Sequence, residues 1–566
     1  MGDEKIVMTP TKRGKSTAIR LEKIKKSNID LNQVHHSGGG AHSRLVVNKM
    51  AKIEDGGEEC AELSMEFRCF LVNKKTSEHI CEKRVLYFWF RENSDHEQKI
   101  CGARDFFLEL INPDDFPGDY PHFIKKAMKL LEKSDQYYAV LRVEVEMTPV
   151  SPEISAQTPF EEDNRPRDVI VQEQLLSEIE RHFPNCVDIN KLLEVTNEDH
   201  DMVISQLQQL IDKKLIKRLD DEGNKYIRNL LYDKSVREMK QMPVQQGIKK
   251  PSIAIITSSF FEKMAIDSMM SDKTTFVKFK QEGDGNVYTI GSIGKHRVVS
   301  TKLPIVGRDR SALISSGNST TRLLGTFSDV EHVILLGICG GVPDYVDYRK
   351  HVRLGDIIVS VPNSKGISYI FADKVERSAD NIMKFSLKSW NAKDLVVSEL
   401  SESLQTVLND LKSNTLEDYM GEAAEELGTL QNAHSFSRPQ DSSDILYMRP
   451  DKDKLIRIEH PKIPEDANIK QKTPIVRLGC LASGRPFEES ILRSDFAIRH
   501  QVIGFDPPLF DQVMESVVGN CKDSFIFIRG VSDYEDGANQ KSVWKHYAAL
   551  SAAAFARILI ENLSNL

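Results

Sequence analysis

From Lys249 onward, short apolar runs alternate with helical stretches, and that alternation admits few architectures other than α/β. Residues 253–256 and 525–528 are continuous apolar runs, as strands buried on both faces of a sheet require. Residues 330–336, 353–360 and 475–481 also read as strands, and 287–290 with 297–300 as a hairpin. Helices are predicted over 311–326, 393–414 and 544–563. Several strands run into Gly-rich or polar turns: Gly337-Ile-Cys-Gly-Gly341, Ala482-Ser-Gly484 and Arg529-Gly-Val-Ser-Asp533-Tyr-Glu-Asp536-Gly537. The C-terminal ends of strands are where open α/β sheets place ligands. An Asp at position 533 can there serve as an acid, an orienting group or an acceptor for a heterocycle. A capping turn into the next helix is the competing reading.

The rest of the chain is bounded more loosely. At 566 residues there is room for three or four domains, and 40% apolar with 28% charged residues suits a soluble globular protein. A net charge of −8 carries no general signature of polyanion binding. The eight cysteines form no C-x-x-C, which suggests neither a disulfide framework nor a zinc site and predicts reduced thiols in the cytoplasm or nucleus. No apolar run approaches 18 residues, the N-terminus lacks a signal core, and Met-Gly-Asp-Glu-Lys-Ile does not fit a myristoylation site.

Residues 1–58 read as a disordered basic arm, with ten Lys or Arg against four acids in the first fifty. Such an arm is an import signal, a tether to an anionic surface, or a solvated tail. Residues 59–147 read as a small α+β domain of unknown role, with strands at 65–72, 84–90 and 138–147 and an amphipathic helix at 120–133. Four prolines mark 148–167 as an extended linker. Over 168–232, three short helices and a two-stranded wing resemble a winged helix. Its third helix opens on Glu198-Asp199-His200-Asp201, and carboxylates there repel DNA. A protein-contact or spacer role is therefore expected.

The motifs of 249–566, taken in order, resemble the purine/uridine phosphorylase and methylthioadenosine/adenosylhomocysteine nucleosidase superfamily, in its multidomain eukaryotic branch. The matching segments are Ile253-Ala-Ile-Ile256 with Glu262, Leu336-Gly-Ile-Cys-Gly-Gly-Val-Pro343, Val352-Arg-Leu-Gly-Asp-Ile-Ile-Val-Ser360, Leu481-Ala-Ser-Gly484, Arg529 to Asp536, and Trp544-Lys-His-Tyr-Ala-Ala549. The resemblance implies an α/β domain with a central mixed sheet flanked by helices, preceded by the winged-helix-like and α+β domains. It also implies cleavage of the N-glycosidic bond of a purine nucleoside, by water or phosphate, in a homo-oligomer that needs no metal or organic cofactor. Asp533 would be the acid beside the leaving base, Ser532 would orient it or touch the base, and Arg529 would lie beneath. Glu262 matches the position that activates water, and Phe487 an aromatic position that stacks on the base. Gly340 and Gly341 would let backbone approach the ligand. The residues themselves leave plainer alternatives open: Glu262 as an exposed carboxylate opening a helix, Phe487 as core, and the glycines as packing.

Two departures from the family bear on activity. Active members carry Glu-Met-Glu where this chain reads Asp506-Pro507-Pro508, so Pro508 stands at the sugar-gripping Glu and Asp506 at the first. Losing that contact costs about 2–4 kcal/mol. The phosphorylase branch also tends to have Arg and Ser where Leu335 and Ile338 stand, leaving Arg308 and Arg310 as substitutes for holding phosphate. The alternative to cleavage is a nucleoside-binding sensor or scaffold that engages a protein partner through the winged-helix-like domain, without membrane or DNA. The insertion at 415–472 is assigned no chemistry.

Overall fold

The structure is a computed structural model and describes residues 4–563 except 14–15, 31, 38–44, 50–60, 73–78, 113–119, 134–138, 151–164, 220–223, 231–235, 239–249, 279–284, 305–309, 346, 378–382, 392–398, 411–412, 430–433, 452–453, 464–472, 489, 508–509 and 540–541. The chain divides into two compact units. Met1–Asp163, Asp344–His351 and Ile445–Asn468 make up the first, and Asn164–Pro343, Val352–Asp444 and Ile469–Leu566 the second. Among the described residues no helix is long and apolar enough to cross a membrane.

The first unit is built on a nine-stranded sheet. Its order is Leu446–Asp451, Lys454–Ile458, Leu63–Val72, His79–Phe90, Val140–Val150, Ser16–Lys25, Glu4–Arg13, Leu45–Asn48 and Val34–Ser37. Described parts of the expected disordered arm are therefore sheet strands, and the expectation is corrected. The reason is that the arm's charges alternate with apolar residues. Ile19 and Leu21 are buried while Arg20 and Glu22 reach Glu144 and Arg142 on the neighbouring strand. The helix Tyr120–Glu132 lies where the periodicity placed it. The helix His96–Leu110 was not anticipated, although Asp95 and Gln98 form a capping box and Ile100, Ala103, Phe106, Phe107 and Leu110 are buried. The hairpin from the insertion occupies one edge of this sheet, with Ile458 opposite Met65.

The second unit begins with the helices Arg167–His182, Ile189–Thr196 and His200–Asp212, beside a sheet of Val187–Asp188, Lys225–Arg228 and Ile216–Arg218. Val171, Leu175, Ile179, Leu192, Val203 and Leu207 form its core. Asp199 caps the third helix by accepting from the Met202 amide, so one of the acids thought to repel DNA has a local structural task. The C-terminal end of the first helix joins this module to the α/β sheet. Lys302 Nζ donates to the carbonyls of Arg181 at 3.0 Å and Phe183 at 2.8 Å. These carbonyls are the negative end of a helix dipole. Burial lowers the Lys302 amine to about 7.

The α/β sheet runs Arg237–Glu238, Ser271–Lys278, Asn286–Ile293, His296–Lys302, Ile253–Thr257, His332–Gly341, Ser524–Asp533, Ile357–Ser360, Val476–Gly484, Tyr369–Arg377 and Met383–Trp390. It is mixed. Ile253–Thr257, His332–Gly341 and Ser524–Asp533 run parallel in succession, and Ile357–Ser360 turns antiparallel to the last of them. Val502–Asp506 pairs with both His332–Gly341 and Val476–Gly484 and so closes a ring of five strands. The helix Lys545–Glu561 lies against Ser524–Asp533 and Phe260–Ser268, and is buried along most of its length by small residues such as Ala552, Ala553 and Ala556. Within the expected helix over 393–414 the described residues form Glu399–Asp410, and a second helix, Ser413–Thr429, follows in the insertion.

Candidate functional site

The three parallel strands bring both predicted carboxylates to one end of the sheet. Ile253–Thr257 passes through Ser258 and Ser259 into the helix Phe260–Ser268, which carries Glu262 on its first turn. Ser524–Asp533 ends on Ser532 and Asp533. The glycine turn of His332–Gly341 lies between them.

Glu262 points inward and is buried. Its Oε2 accepts from Ser258 N at 2.8 Å, Ser258 Oγ at 2.9 Å and Ser259 N at 2.7 Å, and its Oε1 from Ile338 N at 2.9 Å. A Cβ on Gly337 would come 2.7 Å from Oε1, so the glycine makes room for the carboxylate. An exposed carboxylate opening a helix is thus not what the structure shows. A carboxylate oxygen has two acceptor sites, so Oε1 keeps capacity for one further donor.

Asp533 is 6% exposed. Its Oδ1 accepts from Glu535 N at 2.8 Å and Gly537 N at 3.1 Å, and Ser532 Oγ donates to Oδ2 at 3.1 Å. Burial pushes the carboxyl up to about 6; the two amides oppose that rise and the Asp536 charge adds to it. The loop folds back tightly here. A Cβ on Gly340 would meet the Glu535 carbonyl carbon at 2.3 Å, and Gly537, at φ +74°, lies against the Cys339 backbone. Gly341 is packed under Val531 and Val352. Gly340 and Gly341 were expected to admit a ligand; the close approach they permit is by the chain itself.

Arg529, four residues before Asp533 on the same strand, is fully buried. Nε donates to Asp506 Oδ1 at 2.9 Å, Nη2 to Asp506 Oδ2 at 3.0 Å and Nη1 to the Leu335 carbonyl at 2.7 Å. Burial raises the Asp506 carboxyl, and Arg529 opposes that rise. Asp506 was a candidate substrate contact; the structure engages both its oxygens with Arg529 across the five-stranded ring. Glu262 lies within electrostatic reach of this pair. Phe487 is buried among Phe385, Phe496 and Phe505, with centroid distances of 6.2, 4.7 and 4.9 Å, in the core arrangement that was its alternative. Arg308 and Pro508 lie outside the described residues, and Arg310 opens the helix Arg310–Thr326.

One set of residues at this site was not singled out from sequence. The Tyr534 hydroxyl donates to Asp444 Oδ1 at 2.7 Å, and Arg353 Nη2 is 2.7 Å from Asp444 Oδ2. Asp444 comes from the insertion, whose polar composition masked it, and no local spacing links it to residue 534.

No family model matches the chain. A curated protein of Hyaloscypha variabilis described as a nucleotide-binding leucine-rich repeat (NLR)-like protein is 28% identical over 281 residues. That is 49% of this chain and 26% of the other, so the chain spans about a quarter of that relative's length. Among solved structures, a methylthioadenosine/adenosylhomocysteine nucleosidase of Neisseria meningitidis is 14% identical with a TM-score of 0.32, covering 55% of this chain and 99% of that one. The futalosine hydrolase of Helicobacter pylori is 14% identical with a TM-score of 0.30, covering 55% and 98%.

Proposed function

We propose that the α/β part of the second unit binds a purine nucleoside and hydrolyses its N-glycosidic bond. The observation that carries this reading is Asp533, a carboxyl raised by burial to about 6 at the end of a central strand and fixed there by a hydroxyl and two amides. Such an acid is protonated in a useful fraction near neutrality. As the glycosidic bond breaks, its electron pair passes to the base, which takes the Asp533 proton. Water adds to the sugar's anomeric carbon and gives its proton to Glu262, whose Oε1 accepts one protein hydrogen bond, from Ile338 N. Water is favoured over phosphate because Leu335 and Ile338 are apolar and buried. Arg529 and Asp506 brace the strand that carries Asp533.

The test is base release by the full chain from adenosine, inosine, methylthioadenosine and uridine, each with and without phosphate, beside Asp533→Asn. Purine release that ignores phosphate and disappears in the variant is expected. Release that persists in the variant would remove Asp533 from the chemistry. A second reading, a nucleoside-binding sensor with little turnover, is favoured by the engagement of Asp506 with Arg529 and by the prolines that follow it. Ligand-induced thermal stabilisation without base release would select it.

A further inference from the structure

We propose that Arg353, Asp444 and Tyr534 form a positioning unit for Asp533, supplied in part by the insertion; the inference rests on Asp533 being the acid. Tyr534 is the next residue in the chain, so fixing its ring fixes the peptide leaving Asp533. Its hydroxyl donates to Asp444 Oδ1 at 2.7 Å, while Arg353 Nε and Nη2 hold Asp444 Oδ2 at 2.9 and 2.7 Å. The Asp444 side chain is 2% exposed and that of Arg353 31%, so a buried carboxylate is held by a guanidinium at the edge of solvent. Arg353 is itself placed by its amide, which donates to Asp356 Oδ2 at 3.0 Å.

The geometry ties this unit to the acid and not only to the fold. The Asp533 carboxylate is held by amides from its own loop, those of Glu535 and Gly537. Moving Tyr534 moves those donors, and with them the hydrogen bonds that set the carboxyl's orientation. The segment leading to Asp444 is pinned along its length: Arg438 pairs with Asp441 at 2.9 Å, and Trp544 Nε1 donates to Ser443 Oγ at 3.0 Å. Chain connectivity gives the pair a further property. Asp344–His351 and Ile445–Asn468 belong to the other unit, so Arg353 stands just after one excursion and Asp444 just before the next. Their ion pair clasps the chain at the two crossings, and Tyr534 is attached to the clasp.

Three full-length variants test this: Tyr534→Phe, Asp444→Leu and Asp444→Asn. Deuterium exchange reads the amides of 532–537, and base release gives kcat and KM. Tyr534→Phe loses the hydroxyl's hydrogen bond, and Asp444→Leu loses that bond together with both Arg353 contacts, so exchange at 532–537 should rise and kcat should fall about tenfold in the first and further in the second, with KM little changed. Asp444→Asn keeps an oxygen that can accept from Tyr534 but loses the charge paired with Arg353, and should fall between wild type and Asp444→Leu in both readouts. A faster exchange with unchanged kcat would show a merely structural staple and overturn the proposal. So would damage in Asp444→Asn equal to that in Asp444→Leu, because the hydroxyl bond would then not be the cause. If the wild-type chain releases no base, the hydrolase reading falls by itself, and the exchange rates with their Asn rescue still decide whether Tyr534 and Asp444 hold the Asp533 loop.

Discussion

At the scale of residues, the two candidate carboxylates carry opposite stability signatures. Asp533 has a folded pKa of about 6 against an ordinary value of 3.8, with burial as the main cause. Between those values the folded chain binds more protons than the unfolded one, so stability falls as pH rises through that window. Above it the cost is fully present, on the order of 2–3 kcal/mol. Asp533→Asn cannot ionise and keeps an oxygen for the two loop amides. It should melt higher than wild type at pH 7.5 and level with it near pH 4, as read by calorimetry. A variant that melts lower at pH 7.5 would contradict the burial argument. Glu262 behaves in the other sense. Four protein donors converge on its two oxygens. Glu262→Gln offers one oxygen and turns an NH2 toward N–H groups. It should lose about 1–3 kcal/mol, seen as a lower urea midpoint with an unchanged slope.

At the scale of elements, the module that opens the second unit is joined to the α/β part through buried ionisable groups. Glu180, on the helix Arg167–His182, pairs with Arg228 Nε at 2.8 Å and His434 Nε2 at 2.8 Å, and His434 stacks on His546 at a centroid distance of 4.5 Å. Burial holds His546 down to about 2, with His434 and Lys545 adding to the effect. Its folded pKa lies below the ordinary 6.5, so the unfolded chain binds the extra proton and stability is lost as pH falls below 6.5. Glu180, lowered to about 2, titrates outside that range. The melting-temperature drop from pH 7 to pH 5 should therefore be smaller in His546→Phe than in wild type; equal drops would place the acid sensitivity elsewhere. None of this cluster was legible in the sequence, because positions 180, 228, 434 and 546 meet only through tertiary contacts. The apolar strands of the α/β part were legible, since a strand buried on both faces writes itself as an unbroken apolar run. The strands Glu4–Arg13 and Ser16–Lys25 were not, because counting charge over fifty residues averages away an alternation of period two. The motif order anticipated the placement of Glu262 and Asp533 at one end of the sheet. The engagement of Asp506 by Arg529 and the packing of Phe487 depend on side-chain geometry that no motif records.

At the scale of the whole molecule, the first unit is not a separable appendage in sequence. Its sheet includes the hairpin Leu446–Asp451 and Lys454–Ile458, which the chain supplies from within the second unit's sequence. Leu446 and Ile458 are buried, and Arg457 and Ile458 pair with Glu66 and Met65. A fragment of residues 164–566 keeps the hairpin but loses the strand Leu63–Val72 on which it is laid. An isolated two-stranded hairpin is marginal in water, and an uncovered strand edge with apolar neighbours templates association. The fragment should therefore show lower soluble yield, stronger binding of a hydrophobic dye and self-association at micromolar concentration. Supplying residues 1–163 as a second chain should reverse all three, because the missing strand is restored to its partner. Light scattering and dye fluorescence, with and without the added chain, measure this directly. A fragment as soluble and monomeric as the full chain, and indifferent to residues 1–163, would show that the hairpin does not need that sheet.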